Sequence, residues 1–381
     1  MDVYINDLAY FLPNNPVTNE EIENVLGKIN NIPSRVKRIV LKNNKIESRY
    51  YAIDPETGQL THNNAQMAAE SVRRLNPYKD FDVKDIECLC CGTTCADLLF
   101  PGHSLMVLGE LGIPECEAVT THGICSSGLT AFKYAFMNVA TGMTNNAVAA
   151  GSEAASSFMR ARFFNEQNDP DTDLDKKPML AFDSDFLRWM LSDGAGAAYL
   201  SGQKNSNGIS LRVDWIDIIS YAGQIETCQY GGGVKQPDGT MVGWRETESI
   251  DPKLKKHIFA VKQDIKLLDR EIVKTAIDWA LVRVIDKYRL KPEDIDWYLP
   301  HYSSGYFRDK FYDRMKDIGF EIPYEKWFTN LSVKGNTASA AIYIILEELF
   351  RSGDLKVGQK LLCFIPESGR FSHCYMMLTV V

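Results

Sequence analysis

HGICSSGLTAFKYAFMNVATGMTNNAVAAG, residues 122–151, is the stretch on which the fold turns. A run of small residues, Gly123-Ile124-Cys125-Ser126-Ser127-Gly128, opens onto Leu129, Phe132, Phe136 and Val139. Those four recur at helical spacing and predict a helix over 127–141. NAVAAG at 146–151 follows and reads as a buried strand. Helix and buried strand in alternation are the unit of α/β architecture.

Upstream, the same alternation holds. NAQMAAESVRRL (64–75) predicts a helix, 86–91 a buried strand ending in Gly-Thr-Thr, 103–112 a helix closed by Gly112, and 117–121 a strand. Downstream, DGAGAAYLS (193–201) is a further strand. Cys88, Cys90, Cys91 and Cys95 crowd the 86–91 region, where a free thiol acts as a small core hydrophobe.

The second half repeats the first. EDIDWYLPHYSS (293–304) echoes KDIECLCCGTT (84–94), and DIGFEIP (317–323) matches ELGIP (110–114). LSVKGNTASAAIYIILEEL (331–349) falls where HGICSSGLTAFKYAF fell, and LLCFIPESG (361–369) parallels AVAAGSEA (147–154). Helix 271–288 stands before its strand as helix 64–75 does. Echoes in one order predict an internal duplication, with halves at 1–207 and 208–381. Two stretches have no echo: 158–190, with the acidic NEQNDPDTDLDKKP, and 222–247, with Gly231-Gly232-Gly233. Both read as insertions of the kind that form lids, binding loops or solvated excursions.

Composition narrows the class. The 381 residues are 45% apolar and 24% charged, which excludes wholesale disorder and rods. A net charge of −8 argues against a nucleic-acid partner, which demands positive charge. Nine cysteines are too few for a disulfide scaffold in this length. No apolar run approaches the roughly 18 residues of a bilayer span, and MDVYINDLAYFLPNN lacks a signal pattern. The expectation is a reduced cytoplasmic protein with no membrane partner.

Three residues could carry chemistry. Cys125 lies at a strand-to-helix turn, where a helix N-terminus favours thiolate; a buried structural cysteine is the plainer account. His301 follows the predicted strand Ile295–Leu299, at the carboxyl end where α/β sheets place their sites. Asn336, in Lys334-Gly335-Asn336-Thr337, suits a helix cap, yet it holds the repeat position of Cys125. If the halves are related by a pseudo-twofold axis, both helix starts converge. The Cys88–Cys95 cluster lacks a ligand partner for a metal site, and Gly194-Ala195-Gly196 lacks a full dinucleotide fingerprint. Arg35, Lys37, Arg38, Lys42 and Lys45 form a basic run that is either a solvated face or a phosphate site.

With Cys125, His301 and Asn336 in that order, the chain resembles the β-ketoacyl-acyl carrier protein synthase III family of the thiolase superfamily. The landmarks are YINDLAYFLPNNPVTNEEI, KIESRYYAID, CCGTTCADLLFPG, the Cys125 turn, GSEA (151–154), LSDGAGAAYL (191–200), LPHYSSG and KGNTASAA. The resemblance implies a five-layered αβαβα sandwich of two duplicated halves, usually a homodimer. It implies a ketosynthase performing decarboxylative Claisen condensation, an acyltransferase with no metal or bound cofactor. Its substrates would be acyl-CoA or acyl carrier protein (phosphopantetheine) thioesters. By the same resemblance Cys125 accepts the acyl group, and His301 and Asn336 stabilise the enolate of a malonyl-type or β-ketoacyl partner. The amides of Cys125 and Gly369 form the oxyanion hole, Phe100 reaches a partner's acyl pocket, and Arg38 and Lys42 meet phosphates.

The chain also departs from the family. The stretch before KIESRYY lacks the tryptophan that stacks on the CoA adenine, and the His301 loop reads HYSSGYF. Both point to a specialised secondary-metabolism member, with aryl-lipid or dialkylresorcinol-type condensation among the candidates. The alternatives are a type III polyketide synthase-like enzyme and a catalytically idle partner subunit. A thiolase would need a second cysteine in the ESGRFSHC loop. A hydroxymethylglutaryl-CoA synthase-like enzyme would need a glutamate where Cys95-Ala96-Asp97 stands.

Overall fold

A computed structural model describes residues 1–164, 186–249 and 258–381. Its frame is nine strands: β1 Tyr4–Phe11, β2 Cys88–Thr93, β3 Glu117–His122, β4 Asn146–Glu153, β5 Gly194–Ser201, β6 Leu211–Ser220, β7 Trp297–Pro300, β8 Lys360–Glu367 and β9 Ser372–Val380. They hydrogen-bond in the order β7-β8-β9-β6-β1-β5-β4-β2-β3. The pairs β2–β3, β2–β4 and β7–β8 are parallel, and the other pairs antiparallel.

The two halves of this sheet meet at one narrow place. Between β1 and β6 only Tyr4–Arg212 and Ile5–Leu211 pair. Irregularities in register at Ile5/Asp7 and Met377/Leu378 lie beside that junction, and such bulges bend a sheet. Beyond the junction the halves turn to face each other.

The alternation of side chains shows what lies between. From β2 and β4, Cys88, Cys90, Ala147 and Ala149 join one core with Leu361, Cys363, Cys374 and Met376 of β8 and β9. That core is completed by Leu129, Phe132 and Val139 of α1, Ser126–Ala140, and by Ile342, Ile345 and Leu349 of α2, Ala341–Ser352. The opposite faces of the same strands go elsewhere. Leu89, Cys91, Val148 and Ala150 pack on helices Asn64–Arg73 and His103–Leu111. Leu362, Phe364 and Tyr375 pack on the helical stretch that begins at Ile265 and on Arg308–Asp317. Helix, sheet, helix pair, sheet and helix make the expected five layers. Strands apolar on both faces are what such a stack requires, and each fully buried large side chain contributes about 1.5–3 kcal/mol.

Several expectations shift in detail. Cys88, Cys90 and Cys91 are buried core, but Cys95 is exposed, because the strand ends at Thr93. The helix expected from 271 starts at Ile265, where Asp264 caps it by accepting the Leu267 amide at 3.0 Å. The helix expected from Ala338 begins as a 3₁₀ turn, Ala338–Ala340, and becomes α-helical at Ala341. Of the insertion at 158–190, residues 165–185 lie outside the described residues. The insertion at 222–247 contributes a hairpin, Gly233–Lys235 with Met241–Gly243, and a short strand, Gln229–Tyr230. No described helix is long and apolar enough to cross a membrane.

Candidate active site

The two helix starts meet through missing side chains. The carbonyl oxygen of Ser339 lies 2.0 Å from where a Cβ on Gly128 would sit, and 2.2 Å from one on Gly151. A Cβ on Gly92 would lie 2.3 Å from the carbonyl oxygen of Ser127. Each is far inside contact distance, so only glycine fits at these positions. Gly128, in the run of small residues around Cys125, makes room for the backbone of the other half. Tyr343 Oη donates to the Gly128 carbonyl at 2.8 Å, and Ser339 Oγ to that of Ser152 at 3.0 Å.

Cys125 sits directly before α1 with its thiol free of capping bonds. The turn is held from below, where Ser127 Oγ donates to the Ile124 carbonyl at 2.7 Å. Around the thiol is a cavity of 30 Å³, room for a water or two, lined by Cys125, Thr94, Glu153, Ser303, Asn336 and Ser368 among others. Apolar walls come from Phe158, Phe186, Leu187, Met190 and Leu191 at the ends of the first insertion, and Gln229 comes from the second.

Asn336 thus reaches the Cys125 cavity, as the repeat argument required. Its backbone is fixed on both sides: the amide donates to the Met190 carbonyl at 3.0 Å, and the carbonyl accepts from the Ser192 amide at 2.9 Å. The LSDGAG landmark is therefore a clamp on Asn336. Asp193 anchors that clamp by accepting the amides of Ala52 and Ser156, both at 2.7 Å. Asn336 Oδ1 accepts the Ala338 amide at 2.9 Å, which leaves the amide NH₂ as the group available to a ligand. Ala338, in the cavity wall, has φ of 43°, a left-handed strain of the kind that gathers at functional sites.

His301 is buried at the end of β7, two residues before Ser303 of the cavity wall. Its Nε2 has no hydrogen-bond partner, and burial pushes the imidazole down to about 4, so the ring is neutral at pH 7. A buried, neutral ring with one nitrogen unused is suited to a carbonyl or enolate oxygen.

The expected low-pKa thiol is not found. Burial pushes Cys125 well above the ordinary thiol range, and the carboxyl groups of Glu367 and Glu153 add to the shift. A helix N-terminus contributes about 1 kcal/mol, too little to reverse desolvation of this size. Glu153 ends β4, and its Oε1 accepts the Thr94 amide at 2.9 Å, the Thr94 hydroxyl at 2.6 Å and the Ser339 amide at 3.4 Å. Burial pushes this carboxyl up to about 7. Neither Glu153 nor Thr94 was singled out from the sequence. The available signal was a carboxylate closing the apolar run NAVAAGSEA.

None of the remaining residues lines the cavity itself, although Gly369 adjoins Ser368 of its wall. Gly369 is expected to donate its amide to an oxyanion, but here that amide is engaged by Glu367 Oε1 at 2.5 Å. Phe100 is 82% exposed, and Arg38 and Lys42 are exposed on the helix Lys37–Asn44. Of the basic run, Lys37 pairs with Glu23 at 3.2 Å and Lys45 with Asp309 at 3.8 Å. Val40, Asn43 and Asn44 of the helix line a second cavity of 290 Å³, which shares Phe186 with the first. Among the described residues no cluster could hold a metal ion.

Comparison with known proteins bears on the fold and the class of enzyme. Residues 285–365 match the model of 3-oxoacyl-[acyl-carrier-protein] synthase III C terminal, and 115–205 match β-ketoacyl synthase, N-terminal domain. The β-ketoacyl-[acyl-carrier-protein] synthase III of Neisseria gonorrhoeae is 25% identical over 363 residues, covering 94% of this chain and 93% of that one. Two solved structures share the fold. One is Xanthomonas campestris OleA, with a TM-score of 0.76 and 17% identity over 100% of this chain and 98% of that one. The other is a tetronic acid condensing enzyme, with a TM-score of 0.75 and 19% identity over 99% of both chains. By these matches the chain is similar to β-ketoacyl-acyl carrier protein synthase III and is a condensing enzyme of that kind, an acyltransferase by class.

Proposed function

We propose that this ketosynthase joins an acyl thioester, carried as an acyl group on Cys125, to a malonyl-type thioester by decarboxylative Claisen condensation, or to a β-ketoacyl thioester by loss of its acidic α-proton instead of CO₂. The observation that carries the reading is the cavity shared by the Cys125 thiol and Asn336, beside the neutral, unpartnered His301. In the first step Cys125 Sγ bonds to the acyl carbon, the carrier's C–S bond breaks, and the carrier thiol leaves with the proton. In the second, a malonyl-type thioester loses CO₂. The enolate oxygen receives hydrogen bonds from the Asn336 amide and the His301 imidazole. The new carbanion attacks the acyl carbon, and Cys125 departs as thiolate and takes up a proton. Donors aimed at the developing charge in a site without bulk water are worth about 10²–10³ in rate each.

The 290 Å³ cavity bordered by the helix Lys37–Asn44 is the approach by which a phosphopantetheine arm would reach Cys125, with Arg38 and Lys42 near its phosphates. Exposed Leu99 and Phe100 suit a homodimer contact. The apolar walls of the site suit an apolar acyl group, and the lauroyl-CoA bound in a crystal structure of OleA is a first probe. The test is intact-protein mass spectrometry of the parent and Cys125→Ala after incubation with acyl-CoA and acyl carrier protein thioesters. An acyl mass gained by the parent and absent from the variant is expected. Equal labelling of both would overturn the assignment of the nucleophile.

A further inference from the structure

Glu367 closes β8 immediately before the turn Ser368-Gly369-Arg370, and it is buried. Its Oε1 accepts the Gly369 amide at 2.5 Å and the Arg370 amide at 3.3 Å, while Oε2 accepts the Ser126 hydroxyl at 3.2 Å. One carboxyl group therefore bridges the glycine turn and the residue next to the nucleophile. The turn is held from its other side as well, since the Gly369 carbonyl accepts the Cys228 amide at 2.8 Å and the Gln229 amide at 3.2 Å. There is no slack: a Cβ on Gly369 would lie 2.3 Å from Glu367 Oε1 and 2.5 Å from Ile124 Cδ1.

An oxygen of a carboxylate on two successive backbone amides has the geometry of an oxyanion in its hole. We propose that Glu367 is a positioning residue whose carboxyl holds the Gly369 amide, the second oxyanion donor, beside the nucleophile's neighbour Ser126, and must release that amide before an acyl group can load. The inference rests on Cys125 being the nucleophile. The ionisable groups that feel Glu367 are the thiols of Cys125, Cys228 and Cys374, and Glu153 acts on the Cys125 thiol from the first half. The Arg370 guanidinium is exposed, and its Nε donates to the Ile225 carbonyl at 3.3 Å. Burial holds the Glu367 carboxyl above the usual carboxylate range, while the Gly369, Ser126 and Arg370 bonds pull against it. In its charged form the carboxylate opposes a neighbouring thiolate.

The experiment uses the full chain, its Glu367→Gln variant, and Ser126→Ala as a second, milder loosening of the same carboxyl. Alkylation of Cys125 by iodoacetamide, read at the peptide by mass, is followed from neutral to alkaline pH. Single-turnover acylation by lauroyl-CoA is measured beside it. Glu367→Gln should move the alkylation midpoint down by about one pH unit. Below the midpoint it should speed both reactions about tenfold, with Ser126→Ala shifted less and in the same direction. An unchanged midpoint together with unchanged or slower acylation in both variants would overturn the proposal. A parent that is alkylated at Cys125 but never acylated there would instead count against the nucleophile assignment, and the alkylation profile would still decide the role of Glu367. Glutamine keeps size and acceptor, so a change in the pH midpoint separates charge from packing.

Discussion

The two helix starts that meet at the cavity do opposite things with their polar groups. At the first, Cys125 precedes a regular α-helix, the turn is tied by serine hydroxyls, and the thiol caps nothing. At the second, Asn336 turns its own Oδ1 onto the Ala338 amide, the chain passes through a positive φ at Ala338, and a 3₁₀ turn intervenes before the α-helix. The first start leaves a sulfur unencumbered so that it can form a bond. The second uses one end of an amide for anchorage and presents the other as a fixed donor. One position in a repeat has become a nucleophile in one half and a hydrogen-bond donor in the other.

The comparison breaks most visibly at Cys125. Cys125→Ala should abolish both the acyl adduct and condensation, whereas Asn336→Ala should leave the adduct and lower condensation by about 10²–10³. Intact mass followed by product analysis separates the two steps. His301→Ala should behave as Asn336→Ala does. Loss of the adduct in either would show that these residues act in acyl transfer as well. Because His301 is held down to about 4, its loss of protonation should not appear as an ionisation of the condensation step between pH 5 and 8.

The next effect is on folding and probes the contact between the halves. Gly128→Ala places a methyl group against the Ser339 carbonyl and should destabilise the protein by about 1–3 kcal/mol. A matched alanine at Gly109, where a Cβ meets nothing within 4 Å, should have little effect or a favourable one. Urea unfolding of the two variants tests this directly, and equal midpoints would mean that the helix starts can part freely.

These contacts explain what could be read in advance. Strands apolar on both faces, as in LLCFI and NAVAAG, report burial between two layers whatever the neighbouring chain does, so the strands were legible, while the five-layer stack followed from the family resemblance. The order of echoes pointed Cys125 and Asn336 to one place because a repeat carries position as well as element type. Electrostatics was not legible. The dipole argument at Cys125 is local, but desolvation and the carboxyl groups of Glu153 and Glu367 arrive from strands 28 residues later and far beyond in sequence. Gly369 illustrates the same point. The resemblance assigned its amide to an oxyanion hole, and only the fold reveals that a carboxyl two residues earlier engages it. The role of Gly128 was hidden similarly, since its partner Ser339 lies in the other half.

The smallest expected effect separates the two carboxyl groups beside the thiol. Glu153 lies at the seam of the halves, bonded to Thr94 on one side and Ser339 on the other, and burial raises it from 4.5 to about 7. The folded protein therefore holds this proton more tightly than the unfolded chain does. Its contribution to stability is fully present below the unfolded value near 4.5, and it is lost as pH rises through about 7. Glu153→Gln keeps an oxygen to accept the Thr94 and Ser339 bonds but cannot ionise. Measured against the parent, the variant should gain on the order of 1 kcal/mol between pH 5 and pH 8. Asp193, raised to about 6, is common to both proteins and drops out of the difference. A difference that stays flat with pH would mean that the Glu153 proton is not coupled to folding. A gain that keeps growing as pH rises beyond 7 would place its ionisation above 7 and leave the seam uncharged at neutral pH.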